Sequence, residues 1–373
     1  RKELKMNRRE FLKNAAALGA GSLLVSSCAR LGLGAKKEKD AADVGKSFSF
    51  VHITDQHLQA KRAGDKGYLK CVESVNALEP RPAFVVMGGD MPFDGNYNTK
   101  EKFINDTKLF KDISNELKMP WFPCMGNHDV LGWHPRRKVD VNDPDLGKKC
   151  IMDLLDWPSS YYSFDYNGWH FVILDCIKGV MLESGPSQVH AIDDEQLEWL
   201  AGDLGAAADK PTIAFAHVAV FCNEGQINAD PEAKAMSGMV LNNSKALRWI
   251  LERHGVKAFV QGHSHRVEDY YFNDVWYVTS AAASAAWWAG VWTGSDFGYT
   301  LFNCCGDRLT WEHKTFDWSA HLEANDELER KKIKEWNDFH AEQKRLRKIE
   351  QERGIAMNRL PLPRLHTPIK IIH

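Results

Sequence analysis

Five short polar strings contain the side chains of this sequence that are best suited to chemistry. Together they supply carboxylates, imidazoles and one carboxamide of asparagine as donor groups, and none of them contains a cysteine. Such oxygen and nitrogen donors suit divalent ions such as Mn, Fe or Zn, whereas a structural zinc site is typically built from cysteines. The strings are, in chain order, Asp55-Gln56-His57, Gly89-Asp90, Gly126-Asn127-His128-Asp129, the single His217 and Gly262-His263-Ser264-His265. Their composition predicts a site for divalent metal ions.

Each string follows a short apolar run, which is the pattern of a loop at the end of a β-strand. The runs cover residues 47–53, 83–87, 121–125, 212–216 and 256–260. Short apolar segments bounded by glycine are typical of buried strands. We therefore expect five strands to carry the polar groups to one edge of a sheet. Glycines beside the polar groups allow sharp turns there and leave room for an anion.

Helical patterns alternate with these strands. They cover residues 68–78, 100–117, 194–204 and 244–254, and further strands are expected within 161–175, 267–280 and 299–316. This alternation of the two element types predicts a layered α/β fold.

The order of the strings, D-x-H, G-D, G-N-H-D, H and G-H-x-H, resembles the calcineurin-like metallophosphoesterase superfamily over about residues 47–317. Any one string alone is a weak signal, but the ordered set is specific. The resemblance implies a four-layer αββα sandwich of two packed mixed β-sheets flanked by helices. It also implies two divalent metal ions, the first bound by Asp55, His57 and His265, the second by Asn127, His217 and His263, with Asp90 bridging the two.

The resemblance further implies hydrolysis of a phosphoric ester by a hydroxide that the two ions activate, so that no serine or cysteine nucleophile is needed. His128 is expected to stabilise the charge on the phosphoryl group or to protonate the leaving group. Asp129, its neighbour in the sequence, is expected to orient the His128 ring and to raise its pKa.

Similar sequences by motif are the class III cyclic-nucleotide phosphodiesterases and the ADP-ribose or CDP-alcohol diphosphatases. They favour a small phosphodiester or a nucleotide-type pyrophosphate as substrate. One alternative is a phosphomonoesterase or nucleotidase that scavenges phosphate with the same metal ions. A remote alternative is a non-catalytic surface binding protein, which would be expected to have lost a ligand or His128.

Four residues outside the strings are candidates for binding the rest of the substrate. Arg136 and Arg137 follow the third string closely and could contact a second phosphate or the leaving group. Trp287 and Trp288 could stack on a base or a sugar. The alternatives are a solvated basic turn for the arginines and core packing for the tryptophans.

The amino-terminal residues predict export. The string Asn7-Arg8-Arg9-Glu10-Phe11-Leu12-Lys13 precedes an Ala/Gly-rich stretch at 15–25, as in a twin-arginine signal. This stretch is too short and too weakly apolar for a transmembrane helix. Residues 25–28 resemble a bacterial lipobox, which predicts lipidation of Cys28 and a periplasmic or cell-surface protein anchored to the membrane. The alternative is an ordinary cleavage site.

The remaining composition predicts the domain organisation and the kind of partner. We expect a signal with lipobox at 1–28, a tether at 29–46, the metallophosphoesterase domain at 47–320 and a charged C-terminal helix and tail at 321–373. A net charge of -2 argues against binding of nucleic-acid polymers, so the expected partner is a small phosphorylated substrate. Dense opposite charges predict that the helix at about 325–353 is exposed to solvent or faces an unidentified protein.

Overall fold

The computed structural model describes residues 47–223, 238–291 and 295–324, together with Asp326 and isolated helical positions between 331 and 349. Two large β-sheets pack face to face, and helices cover the outer face of each sheet. This is the predicted four-layer α/β sandwich. The predicted signal, lipobox and tether lie outside the described residues, and the domain boundaries stay predictions.

The first sheet has five strands in the order β13-β12-β1-β2-β3. The strands β1, β2 and β3 run parallel to one another, and β12 and β13 are antiparallel to their neighbours. The strands are β1 (Phe48–Ile53), β2 (Val85–Met87), β3 (Trp121–Pro123), β12 (Gly298–Cys305) and β13 (Arg308–Thr315).

The second sheet has six strands in the order β10-β11-β9-β8-β5-β4, and a separate hairpin pairs β6 with β7. The four inner strands are parallel, and the two edge strands are antiparallel to them. The strands are β4 (Tyr162–Tyr166), β5 (Trp169–Ile173), β6 (Ile177–Leu182), β7 (Gly185–His190), β8 (Thr212–Phe215), β9 (Ala258–Gln261), β10 (Glu268–Phe272) and β11 (Val275–Thr279).

Within residues 47–324, where the structure describes them, five α-helices flank the sheets. They are α1 (Gly64–Asn76), α2 (Lys100–Ser114), α3 (Lys149–Leu154), α4 (Asp194–Ala206) and α5 (Ser244–Arg253), and a 3-10 turn (Lys61–Ala63) precedes α1. Side-chain caps define two helix starts, because Thr99 accepts a hydrogen bond from the Lys102 amide and Asp193 accepts one from the Gln196 amide. Within the described residues, no helix combines the length and the apolar composition needed to cross a membrane.

Alternation along the strands builds two separate cores. In β1, Phe50 faces the other sheet and joins an aromatic cluster with Phe84, Phe171 and Phe215. Its neighbours Val51 and Ile53 belong instead to the cluster that includes the helices. Because successive strand residues point to opposite faces, each apolar run serves both cores. Continuous apolar runs are therefore needed, as the sequence shows.

Two features differ from the sequence-based expectation. The five runs that carry the polar strings do not share one sheet, because β1, β2 and β3 lie in the first sheet whereas β8 and β9 lie in the second. The β6–β7 hairpin and the short helix α3 were not predicted. Sheet membership depends on pairing between distant segments, and the two strands of the hairpin do not show the alternation of apolar and polar residues that marks a half-buried strand.

Candidate metal centre

The polar strings meet where the parallel strands of both sheets end. The loop after β1 carries Asp55 and His57, and the loop after β2 carries Asp90. Because parallel strands in each sheet point the same way, their carboxyl ends share one rim of the sandwich. The remaining residues of the strings follow β3, β8 and β9 and are Asn127, His128, His217, His263 and His265.

Asp55, His57 and His265 form the first ligand group. One donor atom of each lies within 4.8 Å of those of the other two. The Nε2 atoms of His57 and His265 are 3.1 Å apart, and His265 Nε2 is 3.3 Å from Asp55 Oδ1. All three side chains are buried. This spacing is compatible with a single divalent ion between them.

Asp90, His217 and His263 form the second ligand group, again with donor atoms within 4.8 Å of one another. His217 Nε2 is 3.1 Å from Asp90 Oδ2. The predicted ligand Asn127 is buried next to His128, whose amide donates a hydrogen bond of 2.7 Å to Asp90 Oδ1. The predicted residues of both groups therefore come together in the fold, and their roles as ligands stay a prediction.

Three histidines are oriented by bonds from their other ring nitrogen. The Nδ1 atoms of His57 and His217 donate to the backbone oxygens of Phe93 and Gly88 at 3.0 and 2.9 Å. His265 Nδ1 donates in the same way to the backbone oxygen of Ala285. Such bonds fix the tautomer and leave Nε2 available as a metal ligand.

Two buried oxygens test whether the site fits metal ions. Among the described residues, Asp55 Oδ1 and Asn127 Oδ1 are buried and make no hydrogen bond. Leaving such an atom without a partner costs about 1–3 kcal/mol. A cation would satisfy both oxygens, and the donor set of carboxylate, imidazole and amide groups suits a divalent ion. The residues present thus fit the two predicted ions.

The backbone of five predicted ligands is unusual. Asp55, His57, Asp90, His263 and His265 all have positive φ angles, between 40° and 70°. A residue other than glycine in this region costs of order 1–3 kcal/mol, and such residues cluster at functional sites. Five strained residues in one place mark this rim independently of any motif.

Glycines keep space for the ligands. A Cβ atom on Gly126 would lie 2.3 Å from Asp90 Oδ1, and one on Gly262 would lie 2.3 Å from Thr54 Oγ1. Both distances are shorter than van der Waals contact allows. The glycines in the third and fifth strings are therefore required by the close approach of the loops.

Burial and neighbouring charges set the protonation of the predicted ligands. Burial raises the pKa of Asp90, but His217 and His128 outweigh it and hold the pKa well below the usual value. Burial lowers the pKa of His57 and His263 to about 3, so both rings are neutral near pH 7. Burial opposes protonation of His217 too, but Asp90 and Asp55 raise its pKa to about 10. A metal ion bound there would displace that proton.

The predicted role of Asp129 is wrong, because among the described residues its carboxylate bonds to backbone amides, whereas the His128 ring bonds to Asp94. The Asp129 carboxylate accepts hydrogen bonds from the backbone amides of Asp90, Met91 and Gly126 at 2.9, 2.8 and 2.7 Å. Asp129 therefore ties the loop after β2 to the loop after β3. Adjacent loop residues point in different directions, so sequence proximity did not indicate contact. Burial, and then Asp90, raise the pKa of Asp129 to about 7.

Asp94, which was not predicted, is the partner of His128. Its Oδ1 lies 3.1 Å from His128 Nδ1. Burial opposes protonation of His128, but Asp90 and Asp94 outweigh it and raise the pKa above the usual value. The His128 side chain is 24% exposed, so it can reach a bound substrate. The only signal in the sequence was the position of Asp94 four residues after Asp90.

The candidate substrate-binding residues have different surroundings. The guanidinium of Arg136 is exposed and lies 5.2 Å from the centre of the Tyr97 ring. Arg137 donates to the backbone oxygens of His134 and Ser184 at 3.3 and 3.2 Å, so it ties its loop to the β6–β7 hairpin. Substrate contact by Arg136 stays a prediction, whereas Arg137 has a structural contact.

The two tryptophans separate clearly. The ring centre of Trp287 lies 4.4 Å from that of His265 and 5.8 Å from that of His57, and the residue is half-buried. Trp288 is completely buried, and its indole donates to the backbone oxygen of Gln56 at 2.9 Å. The prediction that Trp288 stacks on the substrate is therefore wrong, because its ring is part of the core.

The hairpin adds residues that sequence reasoning missed. Gln188 Nε2 donates to the backbone oxygen of Asn127 at 3.0 Å and to Asn96 Oδ1 at 3.2 Å. The His190 ring lies 5.1 Å from the His263 ring. These residues border the second ligand group. They were missed because the hairpin itself was not predicted.

A family model described as calcineurin-like phosphoesterase matches residues 48–267. The chain belongs to this family. The phosphoesterase is therefore a hydrolase of phosphoric esters, as the order of the strings predicted. Members of the family depend on two metal ions, and this structure offers two candidate ligand groups.

Curated relatives are phosphodiesterases and phosphatases. A probable glycerophosphodiester phosphodiesterase of Arcobacter nitrofigilis is 24% identical over 63% of this chain and 78% of its own length. A probable cyclic nucleotide phosphodiesterase of Xenorhabdus bovienii is 20% identical over 69% of this chain and 96% of its own. A serine/threonine-protein phosphatase of Mus musculus is 27% identical over 53% of this chain and 58% of its own length. A solved dimetal phosphatase from Danio rerio aligns with a TM-score of 0.48 and 14% identity over 72% of this chain and 99% of its own.

Proposed function

We propose that the phosphoesterase uses two divalent metal ions to hydrolyse a small phosphodiester or a nucleotide-type pyrophosphate. The position of Asp90 supports the use of two ions most directly. Its Oδ2 atom lies 3.1 Å from His217 Nε2 in the second group and 3.5 Å from His57 Nε2 in the first. One carboxylate oxygen between two histidines of different groups is what a ligand shared by two ions requires.

The assignment of the ligands follows the two groups. Asp55, His57 and His265 would hold one ion, and His217 and His263 would hold the other, with Asp90 shared. The buried Asn127 Oδ1, which makes no hydrogen bond, would complete the second set. When bound, the two ions would supply Lewis-acid chemistry by activating water and neutralising charge on the phosphoryl oxygens.

His128 is proposed as the proton donor. Its Nδ1 is held by Asp94, which leaves Nε2 directed away from that carboxylate and available to a leaving-group oxygen. Its ring centre is 5.0 Å from that of His57, so it stands at the edge of the ligand groups. Asp94 fixes the ring and favours the protonated form.

Two observations favour a diester or pyrophosphate over a phosphomonoester. Two of the curated relatives named above are phosphodiesterases by description. The half-buried Trp287 ring also places an apolar surface beside the first ligand group, where it suits an organic substituent of the phosphate. The protein phosphatase among the relatives supports the monoesterase alternative.

Hydrolysis of bis-p-nitrophenyl phosphate, compared with p-nitrophenyl phosphate, tests the proposal. The purified protein is chelated and then supplied with Mn, Zn or Fe(II), with Asp90→Asn as the inactive control. Diester cleavage that returns with metal supports the proposal. Monoester preference would favour the scavenging phosphatase, and no turnover of either ester with both ions bound would favour a binding protein.

The proposed site of action is the cell envelope, through export by the twin-arginine string and anchoring at Cys28. Arg8 and Arg9 precede an apolar stretch and a lipobox-like string in the sequence. Replacing both arginines by lysine should retain the protein in the cytoplasm, and Cys28→Ala should release it from membranes. Unchanged fractionation of either variant would contradict the corresponding step.

A further inference from the structure

We propose that Trp287 forms a wall that contacts the organic group of the substrate, and that an ion pair between Arg62 and Asp326 holds this wall in position. This inference rests on the proposed function for the nature of the substrate. It adds a specificity-determining side chain to the site and gives the segment after β13 a role in substrate binding.

The wall belongs to a turn, residues 281–290, that lies along the first ligand group. The backbone amide of Ala283 donates to Thr54 O at 2.9 Å, and Ser284 Oγ donates to Asp55 O at 2.7 Å. Trp288 adds the bond to Gln56 described above. The turn therefore bonds to three consecutive backbone oxygens, those of Thr54, Asp55 and Gln56.

The Trp287 ring faces the histidines of the same group. Its plane is tilted by 33° from that of His265 and by 52° from that of His57. An indole beside two imidazoles presents a flat apolar surface at the rim of the metal centre. A planar or apolar substituent of the phosphate, such as a nucleobase or an aryl group, would pack on such a surface.

The turn is strained and needs external support. Ala285, Trp287 and Trp288 have φ angles of 45°, 50° and 67°. Residues other than glycine rarely adopt the left-handed region, and each such residue costs of order 1–3 kcal/mol. Contacts from outside the turn must hold this conformation against the relaxed alternatives.

Arg62 supplies one of these contacts. Its Nη1 donates to the backbone oxygen of Trp287 at 3.0 Å. Its Nε and Nη2 donate to the two carboxylate oxygens of Asp326 at 2.9 and 2.6 Å. This is the two-point geometry in which arginine binds a carboxylate most strongly. The Arg62 guanidinium is thus aimed at the turn by Asp326.

The ion pair is shielded from solvent. The Asp326 side chain is 2% exposed and that of Arg62 is 10% exposed. Asp326 also accepts a hydrogen bond of 2.9 Å from the Glu323 amide. A shielded pair is weakly screened by salt, and removing one partner leaves the other charge buried. The contact should therefore persist at physiological ionic strength.

Asp326 lies outside the elements that build the sandwich. It follows the last strand by eleven residues, and the family match ends at residue 267. Its carboxylate accepts hydrogen bonds from Arg62 and from the Glu323 amide, and neither donor belongs to a strand or to the predicted ligands. Removing the carboxylate should therefore leave the sheets and the predicted ligands in place. A loss of function in such a variant would therefore reflect the position of the turn.

Binding of two phosphonates to the metal-loaded full chain tests the inference by calorimetry. Phenylphosphonate and methylphosphonate share the group that meets the metal ions and differ in the part that would meet Trp287. The wild type should bind the phenyl compound more tightly. Trp287→Leu and Asp326→Asn should each reduce this preference by about 5-fold or more, at unchanged metal content, and the double variant should lose no more than either single variant.

Asp203→Asn is the matched control, because it removes a carboxylate that contacts the buried His170 ring in another part of the fold. It should keep the wild-type preference. If Trp287→Leu keeps the wild-type preference for phenylphosphonate, Trp287 does not contact the organic group. If folded Asp326→Asn keeps it, the ion pair does not hold Trp287 in position. If Asp326→Asn does not fold, Arg62→Lys replaces it and is judged by the same criterion.

The readout separates this inference from the proposed function. Phosphonate binding requires loaded metal ions and an anion site, and it does not depend on whether the enzyme cleaves diesters or monoesters. A wild type that hydrolyses only monoesters would contradict the proposed substrate class, while the phenyl preference and its loss would still decide the role of Trp287.

Discussion

The two ligand groups of the phosphoesterase are supported by different parts of the chain. The first group rests on the 281–290 turn, which bonds to the backbone of Asp55 and orients His265. The second group rests on polar side chains, since Gln188 and Asn96 hold the backbone of Asn127. One half of the site is therefore bordered by an aromatic turn and the other by an amide network, so a substrate bound as proposed would meet an apolar and a polar side.

The halves are joined at a few atoms. Asp90 Oδ2 lies close to a histidine of each group, and the His263 amide donates to Asp55 Oδ2 at 3.0 Å. Changes at the junction should affect both halves, whereas changes in the supports should affect one. This difference orders the expected effects.

The largest effect is expected from Asp90→Asn. Loss of the carboxylate that is proposed to be shared should weaken the binding of both ions and lower turnover by more than about 100-fold. This is more than the loss expected from a residue that only holds a ligand in place. Metal content by mass spectrometry and diester turnover measure it. Retained activity with two bound ions would show that the two halves are independent.

The next effect is expected from His128→Ala. Loss of a general acid typically lowers turnover by about 10²–10⁴-fold, and His128 is not among the predicted ligands, so both ions should remain. Turnover and metal content are measured on the same preparation. Asp94→Asn should produce a smaller loss in the same direction, because it only positions the ring. Lost metal in His128→Ala would show that the residue supports one of the halves.

A smaller effect should separate the two supports. In a His263→Ala background, which weakens the second group, Ser284→Ala should lower the affinity of the remaining ion by about 10-fold and Gln188→Ala should not. In a His265→Ala background, which weakens the first group, Gln188→Ala should lower the affinity of the remaining ion and Ser284→Ala should not. Competition with a chelator measures the affinity. Equal effects of both substitutions in both backgrounds would remove the distinction between the halves.

The smallest effect is expected away from both halves, at His170. Its Nδ1 lies 2.7 Å from Asp165 Oδ1, and its Nε2 lies 2.9 Å from Asp203 Oδ2. Burial opposes its protonation, but the two carboxylates outweigh it and raise the pKa above 6.5. The contacts of protonated His170 with the two carboxylates therefore stabilise the fold below pH 6.5. This contribution is lost as the pH rises through the raised pKa of His170.

Asp203→Asn should accordingly lower the free energy of unfolding by about 0.5–1 kcal/mol at pH 6 and by less at pH 9. Urea unfolding at the two pH values measures the difference. Diester turnover and metal content of the variant should equal those of the wild type. A larger loss at pH 9 would contradict the sign of the pKa shift.

The sequence alone was sufficient for the fold class and the family, and it named the residues that the fold gathers into two candidate ligand groups. The family and the layered α/β fold are confirmed by the family match and the sheets. These features could be predicted because residue type, order and spacing are local properties of the chain. Apolar runs mark strands wherever they pair, and donor types limit the ions that they can bind.

Only the tertiary structure decided which contacts those residues make. Neither the choice of Asp94 over Asp129 as partner of His128 nor the split between Trp287 and Trp288 is visible in the sequence, because loop dihedrals set the direction of each side chain. The Arg62–Asp326 pair joins residues 264 positions apart. Such contacts depend on how two sheets, a turn and a late segment pack together, which no local pattern encodes.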